Sequence, residues 1–135
     1  MPLAVRVKDF MAEKVESVDA SDPVSKAVSV MVQKGIGSVL VNDNGKPVGL
    51  LTERDIMEKV CPRNLCASGA KVKEFMTAPL ITVRSDATIG EAAKLMVERD
   101  VRRLPVMDDG RLVGIITQND VLKETLNAFM TIMAL

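Results

Sequence analysis

The chain has 135 residues, 47% hydrophobic and 27% charged, and its 18 basic and 18 acidic side chains leave no net charge. That balance excludes a whole-molecule field drawing it onto nucleic acid or an anionic membrane, and no apolar run approaches the roughly 20 residues of a bilayer span. No signal-peptide pattern opens the chain, so a cytoplasmic location is expected.

Residues 1–14 form a short amphipathic lead-in carrying Val5, Val7, Phe10 and Met11. An extended segment at Val15–Val18 follows, and Asp22-Pro23 then signals a helix start, since proline is tolerated in a first turn. Val24, Ala27, Val28 and Met31 fall at i, i+3, i+4 and i+7, so this helix buries one face. Gly35 suits a left-handed closing residue. Two apolar strands come next, Ser38–Asn42 and Pro47–Leu51, split by Asn44-Gly45. That dipeptide is a strong hairpin signal because both residues can take positive φ. A further helix is expected to begin at Thr52.

Residues 61–71 connect to a second copy of the same plan. Val72, Phe75 and Met76 repeat the lead-in, and Leu80–Val83 repeats the extended segment. Thr88-Ile89-Gly90-Glu91 has capping-box spacing, and Ile89, Ala92, Ala93 and Met96 repeat the buried helical face, with Asp100 in place of Gly35. The second hairpin runs Arg103–Met107, Asp109-Gly110, Leu112–Ile116, and a last helix is expected from Thr117. Residues 7–60 align on 72–125 without a gap at 15 identities in 54 positions, where average composition gives roughly three or four. The chain is an internal duplication. It divides into a first repeat at 1–65 with its lead-in and a second at 66–135. The apolar tail Leu126–Leu135 is expected to extend the last helix and to pack on the body or on a second subunit.

Two strand–helix–strand–strand–helix units, each ending in Gly-h-h-Thr-x-x-Asp (h apolar), resemble a pair of cystathionine β-synthase (CBS) domains, also called a Bateman module. The matching residues are the two first-helix patterns, Arg103-Leu104-Pro105-Val106, the turn glycines, and the endings Gly49–Asp55 and Gly114–Asp120. The resemblance covers residues 7–125. It implies an α/β (α+β) fold of two βαββα repeats packed with pseudo-twofold symmetry through their sheets. It also implies clefts that bind adenosine derivatives (AMP, ADP, ATP or S-adenosylmethionine), pairing into a homodimer, and regulation of a partner protein. This chain looks like the stand-alone form, an energy or metabolite sensor with no obligatory cofactor.

A nucleotide needs a carboxylate for its ribose diol, donors for its phosphates and an apolar slot for its base. Thr-x-x-Asp at a helix start offers the first two, through the Asp, the Thr hydroxyl and the first-turn N–H groups. By the resemblance, one cleft is lined by Ile115, Thr117, Asn119 and Asp120 with Arg102 and Arg103 toward the phosphates, and by Val15, Glu16, Ile36, Gly37 and Ser38 toward the base. The other uses Leu50, Thr52, Arg54 and Asp55, closed by Leu80, Ile81 and Thr82. Gly37-Ser38 aligns with Arg102-Arg103, and arginine favours bidentate phosphate binding, so tighter binding is expected at Asp120. The competing account is that Thr-x-x-Asp is only a helix cap, worth roughly 1 kcal/mol without any ligand. On that account the module dimerises or docks with empty clefts.

Other chemistries have less behind them. Arg99, Arg102 and Arg103 could touch RNA, but no aromatic side chain lies nearby to stack on bases. The chain has no His, and its two thiols, Cys61 and Cys66, make a poor zinc site and read as unremarkable thiols. No nucleophile sits beside a plausible base, so no catalysis and no metal are expected.

Overall fold

In the computed structural model, which describes residues 5–64 and 69–134, the duplication is visible element by element. The first repeat runs β1 (Ser17–Asp19), α1 (Val24–Lys34), β2 (Ser38–Asp43), β3 (Lys46–Thr52) and α2 (Glu53–Asp55). Beyond Asp55 the helix widens into a π turn at Ile56–Val60 and then tightens into a 3₁₀ turn at Cys61–Arg63. The second repeat runs α3 (Ile89–Arg99), β4 (Arg103–Asp108), β5 (Arg111–Thr117) and α4 (Gln118–Met133). The mixed α+β architecture is the expected one.

Local chemistry accounts for most boundaries. Asn44-Gly45 and Asp109-Gly110 take positive φ at all four residues (53°, 75°, 50° and 80°), which closes both hairpins in the expected manner. Gly35 and Asp100 both end their helices left-handed, at φ 64° and 52°. The Thr88 hydroxyl accepts from the Glu91 amide at 3.1 Å and caps α3. At α1 the expectation is corrected by one position. Pro23 is the extended N-cap residue and not part of the first turn. Its neighbour Asp22 accepts from the Asp19 amide instead.

The leading strand differs between the repeats. In the first, β1 pairs parallel with β2 in a three-stranded sheet ordered β1-β2-β3. In the second, the expected strand at Leu80–Val83 reduces to a single parallel bridge, Val83 to Val106, beside a two-stranded β4-β5 sheet. The reason lies in β4. The Leu40 amide donates to the Glu16 carbonyl at 2.9 Å, but the residue aligned with Leu40 is Pro105, which has no N–H. One rung of the ladder cannot form.

Two compact units result, and each combines one repeat with the other repeat's lead-in. One unit comprises the residues up to Lys14 and those from Ile81 onward; the other is Val15–Leu80. In the first, Val7 is fully buried with Ile89, Ala92, Met96, Leu104, Val106 and Ile116. In the second, Val72 and Phe75 are buried with Val24, Ala27, Met31, Val39, Val41 and Leu51. The lead-ins are pinned by backbone pairing, Ala12 with Ile115 through two 2.9 Å bonds and Thr77 with Leu50 through bonds of 2.7 and 3.0 Å.

That pairing explains the glycine that opens each Gly-h-h-Thr-x-x-Asp motif. A Cβ on Gly114 would stand 2.7 Å from the Ala12 carbonyl oxygen and 2.8 Å from Met11 Sδ. On Gly49 it would meet Met76 Sδ at 2.8 Å and the Thr77 carbonyl oxygen at 2.9 Å. Only a residue without a side chain lets the lead-in cross so closely.

The apolar tail extends α4 to Met133, as expected. It does not pack on the body: Leu122, Leu126, Phe129, Met130, Ile132 and Met133 are each 57–68% exposed. Among the described residues, no helix is long and apolar enough to cross a membrane. Cys61 is exposed, and Cys66 lies outside the described residues.

Candidate functional site

Each Thr-x-x-Asp motif is built where a hairpin strand turns into a helix. Thr117 is the extended N-cap of α4, and its hydroxyl accepts from the Asp120 amide at 3.3 Å. The Asp120 carboxylate accepts in return from the Thr117 amide (2.8 Å) and the Thr117 hydroxyl (3.0 Å), both at Oδ2. This is a reciprocal capping box with Asp in the place usually taken by Glu. The Thr52–Asp55 box repeats it, at 3.0 Å to the Thr52 amide and 3.2 Å from the Asp55 amide to the Thr52 hydroxyl.

The strand entering the hairpin supplies the second side of the motif. Arg103 lies directly opposite Thr117 in the β4-β5 register, and the Arg102 carbonyl accepts from the Gln118 amide at 2.8 Å. So Arg102, Arg103, Ile115, Thr117, Asn119 and Asp120 are gathered at one end of one hairpin, with Arg102 and Asn119 exposed and the other four partly so. The first-turn donors are fewer than the sequence suggests. The Gln118 and Asp120 amides have internal acceptors, and of the three the Asn119 amide alone has none among the described residues.

In the Val15–Leu80 unit the equivalent positions gather in the same way. Ser38 lies opposite Thr52, and the Gly37 carbonyl accepts from the Glu53 amide at 3.0 Å. Ile36, Gly37 and Ser38 therefore stand beside the Asp55 motif of their own unit, with Leu50 in the adjoining strand. Arg54 pairs with Glu58 at 3.0 Å. Glu16 pairs with Lys34 at 3.7 Å, beside Val15 at the entry to β1. Leu80 ends this unit, whereas Ile81 and Thr82 belong to the other.

The two carboxylates differ sharply. Asp120 is partly exposed and its Oδ1 accepts no hydrogen bond from the described residues. Asp55 is 4% exposed, and both its oxygens are engaged. The Thr77 hydroxyl lies 3.0 Å from Oδ1 and 3.2 Å from Oδ2, and Lys59 Nζ lies 2.9 Å from Oδ1. Lys59 also donates to the Phe75 carbonyl at 3.2 Å. Motif reading passes over Lys59 and Thr77 as partners of Asp55, although the aligned residues, Glu124 and Ala12, differ in charge and polarity. Among the described residues no cluster of three His, Cys, Asp or Glu side chains could hold a metal ion.

The CBS-domain family model matches residues 7–61 and 72–127, both repeats. The chain belongs to the CBS-domain family. The uncharacterized protein MK0525 of Methanopyrus kandleri is 40% identical over 111 residues, which cover 78% of this chain and 57% of that protein. The chain thus spans little more than half the length of that relative. The crystal structure of the CBS domain protein NE2398 matches at TM-score 0.86 and 31% identity, over 92% of this chain and 99% of that one. The structure of CBSX2, solved in complex with AMP, matches at TM-score 0.77 and 30% identity, over 92% and 98%.

Proposed function

We propose that this CBS pair is a regulatory, non-catalytic module that senses an adenine nucleotide or a related adenosyl compound, with the Asp120 motif as its working contact. The observation that carries the reading is the state of Asp120. Its carboxylate is oriented by Thr117 through Oδ2, while Oδ1 is left to accept from a ribose hydroxyl. Arg102 and Arg103, at the start of the neighbouring strand, supply positive charge for phosphate, together with the Asn119 amide at the positive end of a 16-residue helix. Ile115 offers apolar surface. The AMP bound to CBSX2, a relative of the same fold, points to the same ligand class.

Signalling then requires that ligand bind two arrangements of the protein unequally. The exposed apolar face of α4 supports a homodimer as the assembly that responds, in the cytoplasm and with a partner protein listening. Leu122, Leu126, Phe129 and Met133 follow the 4-3-4 spacing of a helix–helix seam. The α4 stretch from Gln118 on carries charge only at Asp120, Lys123 and Glu124, so two copies meet without like-charge repulsion, and no basic face favours an anionic membrane instead.

The test is a thermal-unfolding panel on nucleotide-stripped protein with AMP, ADP, ATP, S-adenosylmethionine, NAD and GTP. A ligand at 100 times its Kd stabilises by roughly 2.7 kcal/mol, a shift on the order of 8 °C for a chain of this size. A shift with an adenine compound that disappears in Asp120→Ala is the expected result. Asp120→Ala is expected to cost more nucleotide affinity than Asp55→Ala in titration calorimetry. A flat panel would leave the docking role with empty clefts.

A further inference from the structure

The two Thr-x-x-Asp motifs are alike in sequence and opposite in state. We infer that Lys59 and Thr77 lock the Asp55 motif against ligand, so that the chain carries one working adenosyl site, at Asp120, and not two. The inference rests on the nucleotide reading above for what it says about binding, and on geometry alone for the closure.

A ribose diol binds a carboxylate by donating two neutral hydroxyl hydrogen bonds. At Asp55 those acceptor positions are already filled. The Thr52 amide and hydroxyl occupy Oδ2, the Lys59 ammonium sits on Oδ1 at 2.9 Å, and the Thr77 hydroxyl reaches both. The Lys59 ammonium brings a full opposite charge to the carboxylate where a ribose hydroxyl brings only a dipole, so exchanging one for the other leaves both ions less well paired. The ammonium is held from a second side by the Phe75 carbonyl. That bond and the Thr77 hydroxyl both come from the second lead-in, which Leu50 pins through its backbone pairing with Thr77.

Asp120 keeps the counterparts of the Thr52 donors but has neither the ammonium nor the second hydroxyl. The position matching Thr77 is Ala12, which has no hydroxyl, and it pairs with Ile115 through backbone alone. The position matching Lys59 is Glu124, one helical turn beyond Asp120, whose negative charge cannot clasp a carboxylate. Two substitutions between the repeats thus separate a filled motif from an open one.

The prediction can be checked with and without ligand. Carbodiimide labelling of wild-type protein, read peptide by peptide in a mass spectrometer, is expected to modify Asp120 and spare Asp55. Lys59→Glu combined with Thr77→Ala is expected to expose Asp55 to the label. Titration calorimetry with AMP is expected to give one AMP per chain. Ala12→Thr combined with Glu124→Lys, which transplants the lock without removing any core side chain, is expected to weaken AMP binding at least about tenfold, some 1.4 kcal/mol, while the protein stays folded by circular dichroism. Equal labelling of both aspartates, two AMP per wild-type chain, or unchanged AMP affinity in the transplant would each overturn the inference. If AMP gives no heat while Asp55 alone stays unlabelled, the nucleotide reading falls and the closure stands.

Discussion

A carboxylate is available to a ligand only to the extent that its own protein leaves it acceptor capacity. Asp55 and Asp120 have the same capping role, but Lys59 and Thr77 also engage the first, whereas Oδ1 of the second accepts from none of the described residues. Asp108 shows the same principle away from the site. The Ser85 hydroxyl and then the Ser85 amide hold its carboxyl below the ordinary value of 3.8, with Arg84 and Lys8 adding a smaller pull. A group whose folded pKa is depressed stabilises the fold above its unfolded pKa, and that contribution is lost as pH falls through the folded value. Ser85→Ala is therefore expected to lower the melting temperature at neutral pH. The gap from wild type should close as pH drops below about 4, which thermal melts across pH 7 to 2 would show. A gap that stayed constant with pH would remove Asp108 from the explanation.

At the scale of elements, the lead-ins decide more than their length suggests. Each crosses the strand that carries the site motif, and Gly49 and Gly114 make room for the crossing. Gly114→Ala places a methyl group against backbone at Ala12 as well as against Met11, so relief requires the lead-in to move. We expect a loss of roughly 1–3 kcal/mol, the usual range for overpacking, measured by urea unfolding. Gly90→Ala, in the first turn of α3, provides the contrast, because an added Cβ there meets only Thr88 Oγ1 at 3.8 Å and alanine is the better helix former. Pro105 acts at the same scale. By removing one donor it leaves the second repeat with a bridge where the first has a strand.

For the whole molecule, the exposed seam of α4 is the feature with the largest consequence. Fully burying a Leu, Phe or Met side chain is worth roughly 1.5–3 kcal/mol, so several per copy favour association. Phe129→Glu, at a position 57% exposed, is expected to leave the melting of the fold intact and to shift the protein to monomer in analytical ultracentrifugation. An unchanged sedimentation profile would exclude the seam from any assembly. Much of the architecture was legible beforehand because its causes are local. The duplication, the buried faces at Val24–Met31 and Ile89–Met96, the Asn-Gly and Asp-Gly turns and both Thr-x-x-Asp caps depend on residues within a turn or two of one another. What the sequence could not reveal depends on contacts made at a distance. Arg6 reaches the Asp86 carbonyl 80 positions away, and Thr77 reaches Asp55 across 22. Only the folded chain shows that each lead-in joins the other repeat's core, that Pro105 faces the missing rung, and that Lys59 meets Thr77 on a buried carboxylate. Periodicity and capping report what a segment does with its neighbours in sequence; which donors surround a given carboxylate is set by the packing of segments that the chain brings together from far apart.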